Sequence, residues 1–129
     1  MNTHVNFETS KLLKEKGFDE PCSTSWETQY SKEPTITVSI TQKYRSSTHP
    51  VGELSAPTIA EVVMWLHEKH DVWIMVTKNH YETLVRWDFY VNSNFNNDYS
   101  RQHNRDLFGY YSPADAYEAA IEYTLNQLI

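Results

Sequence analysis

The run His67-Glu68-Lys69-His70-Asp71 holds side chains of the kind that bind metal or move protons. Two imidazoles three residues apart on a helix share a face. His80 could then supply a third ligand, with Asp71 as an outer partner. The zinc-protease helix is different: it needs His at i and i+4 with Glu directly after the first. The spacing here does not match it. A second reading places His70 at a helix C-terminus, where the dipole favours an imidazolium, with His67 flanking it toward solvent. The first reading would make the chain a metal-dependent enzyme using His67, His70 and His80; both stay open.

Other catalytic types are dispersed. Cys22 stands in a polar stretch with Ser23 and Ser25, without the adjacent base or positive field that a thiolate nucleophile needs. Carboxylate pairs such as Asp19/Glu20 and Glu82/Asp88 are ordinary on an acidic surface. The chain has no GxGxxG, no GxxxxGK[ST] and no EF-hand loop, so nucleotide and calcium sites of familiar design are missing. No catalytic set and no cofactor site assembles, which favours a non-catalytic role.

Two binding patterns remain. Tyr99-Ser100-Arg101-Gln102-His103-Asn104-Arg105 is locally basic. If it is extended, Tyr99, Arg101, His103 and Arg105 share a side that could stack a base and meet phosphate. Asp98 and Asp106 flank it, and the net charge of −6 repels polyanions. The second pattern is aromatic. Trp73 and Tyr90 fall opposite the inward faces of their strands, and Trp65 lies at the shoulder of its helix stripe. Such rings either carry a second layer or form a patch for a protein partner or a second copy.

Several elements position these residues. Asn6 caps a helix running to about Lys16, and Gly17-Phe18 reads as its left-handed stop. The segment 20–34 is polar and bracketed by prolines, so it reads as a loop. Thr35 to Thr41 alternates strictly, as a strand with one wet face does. After a polar link, Thr58 and Glu61 form a capping box. Ile59, Val62, Val63, Leu66 and His70 make the inward stripe of the helix that follows. Val72 to Val76 is apolar on both faces, the pattern of a covered central strand. Thr77 to His80 reads as a tight turn into a second strand, Tyr81 to Val91. Asn92 to Asn97 is too polar to order itself, and a polar connection runs on to Tyr111. Ser112-Pro113-Ala114-Asp115 opens a final helix lined by Tyr117, Ile121, Thr124, Leu125 and Leu128.

The 129 residues suit one domain. Leu, Ile, Val and Phe number 28, so the 18 aromatic residues must supply much of the interior. A single Cys rules out a disulfide framework. No apolar run is long enough to span a bilayer, and Met1-Asn2-Thr3-His4 has no export-signal character, so a cytoplasmic location is expected.

Three stretches, FETSKLLKEKGFDEP, APTIAEVVMWLHEKHDVWI and SPADAYEAAIEYTLNQL, resemble a family of short bacterial and prophage proteins of the Bacteroides group. The resemblance covers about half of the chain, through a helix stop, two caps and a Trp-Leu helix. It implies an α+β fold and a prophage or mobile-element origin, and it carries over no activity or site residue. The expectation is a single α+β domain over residues 1–129, with a three-stranded antiparallel sheet packed by three helices in the order α-β-α-β-β-α. Its expected role is that of a small accessory protein acting through protein contacts.

Overall fold

The computed structural model describes residues 4–27, 33–38, 54–93, 96–102 and 109–129. The architecture is mixed α+β, and its contacts divide the chain into two compact units, His4–Thr58 and Ile59–Ile129.

In the first unit, α1 (Phe7–Glu15) begins where the Asn6 side chain accepts a hydrogen bond from the Thr9 N–H at 2.8 Å. It ends at Gly17, whose φ of +91° suits a residue without Cβ. The Phe18 N–H then reaches back to the Leu13 carbonyl and the Gly17 N–H to that of Lys14, a Schellman stop. Leu13 and Phe18 are buried together with Val5 and Cys22. The strands β1 (Thr24–Glu27), β2 (Thr35–Val38) and β3 (Leu54–Ser55) form an antiparallel sheet in the order β2-β1-β3. Trp26 lies opposite Ile36 on one side and Leu54 on the other. Its indole N–H donates to Ser10 Oγ at 2.8 Å, and its ring meets Phe7 edge-on.

The second unit opens with α2 (Ile59–His70), which passes through Asp71 alone into β4 (Val72–Tyr81). Asp71 adopts a φ of +55°, a left-handed conformation that Asp tolerates better than most residues. β4 pairs with β5 (Leu84–Ser93) in unbroken antiparallel register, and β5 pairs with β6 (Asn96–Gln102). Helix α3 (Pro113–Tyr123) is capped by Ser112 Oγ, which accepts from the Asp115 N–H at 3.1 Å. It continues into a π-helical turn, Thr124–Leu128. Helix α3 packs on β4 and β5, and α2 packs on β4 and on α3. Val72, Ile74, Phe89 and Val91 are buried on one sheet face, and the Tyr123 ring of α3 lies 6.1 Å from Phe89 on that side. Val62, Trp65, Leu66, Ala116, Ala120, Ile121, Thr124 and Leu125 are the buried residues on the described helices of the same unit.

These observations correct the expected topology. The sheet is not one but two: Thr35–Val38 pairs with β1, not with the later hairpin, and the rest of that strand lies outside the described residues. β1, β3 and β6 were expected to be loops. Each is short or polar and is held by backbone pairing more than by an apolar pattern. The expected turn at Thr77–His80 is strand, and the reversal comes at Glu82-Thr83. β4, expected to be central, is an edge strand among the described residues.

Candidate functional site

The antiparallel register sorts the β4–β5 hairpin into two faces. Val72, Ile74 and Val76 lie with Ser93, Val91 and Phe89 beneath the helices. Trp73, Met75, Thr77 and Asn79 lie opposite Asn92, Tyr90, Asp88 and Arg86 on the other face. That second face has two unlike ends.

One end is closed and polar. Tyr110 bridges the β5 edge by exchanging both backbone hydrogen bonds with Trp87, at 2.9 and 2.7 Å. Gly109 precedes it with a φ of +93°, and a Cβ there would lie 2.6 Å from Asp88 Oδ1 and 2.7 Å from the Trp87 carbonyl oxygen. Asp88 is fully buried and accepts a hydrogen bond from the Asn79 side-chain amide. The Arg86 guanidinium stacks over Tyr111 at 4.3 Å, and its Nη1 donates to the Val85 carbonyl. Burial, followed by the charges of Glu122 and Asp88, raises the Tyr110 phenol above its ordinary pKa. These groups hold one another. They organise this end of the fold, where the buried Thr77 hydroxyl opposite Asp88 and Arg86 Nε make no hydrogen bond among the described residues.

The other end is open and apolar. Trp73 is 57% exposed and Met75 is 50% exposed, with Tyr90 half-buried across the strand from Met75. The Trp73 ring leans on the imidazole of His67, centroid to centroid 3.6 Å. Large apolar groups in the middle of a strand, in water on one side, form the kind of surface that another chain covers.

Of the three expected contact residues, Trp73 lies in this surface and Tyr90 on its margin. Trp65 does not: it is 5% exposed, with its ring edge-on to His70 at 4.7 Å, so it belongs to the interior. The helix stripe is thus rotated from the expected one toward Trp65.

The imidazoles do not converge. His67 lies on Trp73 and His70 on Trp65. His80 stands eight residues along β4 from Val72, roughly 26 Å at strand rise. Among the described residues no three His, Cys, Asp or Glu are grouped so as to hold a metal ion. Asp71, the expected outer partner of those ligands, is the left-handed link between α2 and β4. Cys22 is buried in the first unit, its thiol directed to the Glu20 carbonyl at 3.5 Å.

In the basic segment, Tyr99 and Arg101 belong to β6, and Arg101 is directly opposite Tyr90 in register. His103 and Arg105 lie outside the described residues. The closed end was not legible beforehand, and its one signal is the solitary Gly109 before Tyr110-Tyr111. Among the described residues, no helix is long and apolar enough to cross a membrane. Comparison with family models, with curated proteins and with solved structures finds no match for the chain.

Proposed function

We propose that this chain is a small, non-catalytic cytoplasmic accessory protein that meets a protein partner through the outer face of β4 and β5. The observation that carries this reading is the exposure of Trp73 and Met75 side by side on a sheet face that the helices leave uncovered. Trp and Met are enriched at contact surfaces because they give large area with few polar atoms to desolvate. The resemblance of three segments to short prophage proteins supports a mobile-element origin.

The test is the size of the protein's complex in extracts of cells that express it. The chain should elute well above monomer mass, and the Trp73→Ser/Met75→Ser variant should elute as a folded monomer. Equal elution of the two would end this reading.

A second reading, association with single-stranded nucleic acid, is favoured by the register of Arg101 against Tyr90. An aromatic and a basic residue at facing register positions suit base stacking and phosphate contact. It requires binding of an oligonucleotide at low salt that falls steeply as salt rises and is lost in Arg101→Ala. Absence of binding at low salt removes it.

A further inference from the structure

β4 has the composition of an interior strand and the position of an outer one. Val72-Trp73-Ile74-Met75-Val76 is apolar on both faces, as buried strands are, yet no strand among the described residues pairs with its far side. The ladder shows which backbone groups that side offers. Trp87 spends both of its hydrogen bonds on Tyr110, away from β4. Antiparallel strands alternate, so Arg86, Asp88 and Tyr90 direct theirs to Asn79, Thr77 and Met75. The N–H and C=O groups of Val72, Ile74, Val76, Lys78 and His80 therefore point outward. Natural edges are protected by proline, bulges or several charges. β4 has no proline, keeps an unbroken register, and carries only Lys78 as a permanent charge in its ten residues.

We propose that β4 is completed by β4 of a second copy, antiparallel about a two-fold axis, giving one six-stranded sheet. This names a second copy as the protein partner and rests on the reading that β4 is a contact element; the pairing uses the strand's edge and brings only the rim of the exposed face to the seam. Pairing about Val76 sets Val76 against its own copy, Ile74 against Lys78 and Val72 against His80. Lys78 thus never faces Lys78. On the outer face the same register sets Met75 opposite Thr77 and Trp73 opposite Asn79, so the two Met75 side chains are diagonal neighbours across the seam and each Trp73 stands beside the second copy's Asn79. An isologous contact of this kind is self-complementary and closes at two.

The exposed parts of Trp73 and Met75 amount to roughly 200 Å² per copy, small beside the ~1,200–2,000 Å² of a standard interface. The main-chain ladder must then hold most of the dimer, which is reversible. Each copy carries a net charge of −6, so screening by salt tightens the pair. Nucleic-acid binding would weaken under the same change.

Sedimentation velocity of the purified full chain, from low micromolar to near millimolar concentration, tests this. The expected result is a monomer–dimer equilibrium that shifts toward dimer as salt is raised. Lys78→Pro should weaken it by about tenfold or more while melting close to the parent, because that N–H points away from β5. Thr77→Pro should unfold, because its N–H is used in the ladder. If Lys78→Pro does not fold, Met75→Glu, at a half-exposed site, should abolish the dimer by bringing carboxylates to the seam. A chain that is monomeric at every concentration overturns the proposal, as does full dimerisation of either folded variant. A monomeric chain that still enters a larger complex in extracts, and loses it in Trp73→Ser/Met75→Ser, would overturn self-pairing alone and leave the contact surface standing.

Discussion

The indole of Trp73 lies 3.6 Å, centroid to centroid, from the imidazole of His67, tilted by 45°. An exposed aromatic ring usually samples several rotamers, and a partner must freeze one of them. Here the last turn of α2 already restrains it, which lowers the ordering cost of any contact.

His67→Ala should therefore leave the fold intact and loosen Trp73. Relaxation of the Trp73 indole Nε1–H would show the added motion, and contact through this face should weaken several-fold. An unchanged order parameter would mean that the ring is held from elsewhere.

Gly109 has little room for any side chain. A methyl group would meet Asp88 Oδ1 and the Trp87 carbonyl at a backbone conformation that L-residues rarely adopt. Gly109→Ala is expected to cost about 3 kcal/mol or more in urea denaturation. Gly17→Ala meets nothing within 4 Å and should cost only about 1–2 kcal/mol, from its left-handed backbone alone.

Asp71 holds the left-handed link between α2 and β4. Asp71→Gly, which keeps the left-handed backbone at no steric cost, should lose less than the β-branched Asp71→Val, by about 1–2 kcal/mol. Thermal melts of the two variants would show the difference. Equal losses would point to the carboxylate rather than the backbone.

Tyr110 gives the fold an alkaline limit. Its phenol is raised in the folded chain by burial first and then by Glu122 and Asp88. Below about pH 10, the ordinary value, folded and unfolded chains both hold this proton, and it contributes no pH dependence. Above that value the unfolded chain loses the proton first, so stability falls as pH rises toward the folded pKa. Tyr110→Phe should flatten that part of the stability–pH curve. Parallel curves for parent and variant would count against the assignment.

Helix ends were legible because their chemistry is local. Asn6, Gly17-Phe18 and Ser112-Pro113 each act within one turn, and the structure places a cap or stop at each. Strand partners were not legible, because pairing is a long-range property. Thr24–Glu27 has little alternation, yet its backbone is shared between β2 and β3. The hairpin reversal was misplaced because Asn79 looks like a turn residue, while the true corner uses Glu82 at a φ of +56°. Trp73 could be picked out from its place opposite the inward face of its strand. The burial of Trp65, and the Asp88–Gly109 contact across twenty-one residues, depend on tertiary packing that no spacing rule encodes.

Contact through β4 requires that its outer face meet another chain. A photo-crosslinking residue at position 75, compared in living cells with the same residue at position 64, tests it directly, since Met64 is 53% exposed on α2. Protein adducts are expected from position 75, identified by mass as a second copy or another chain, and few from position 64. Equal yields from the two positions, or no adduct from position 75, would contradict it.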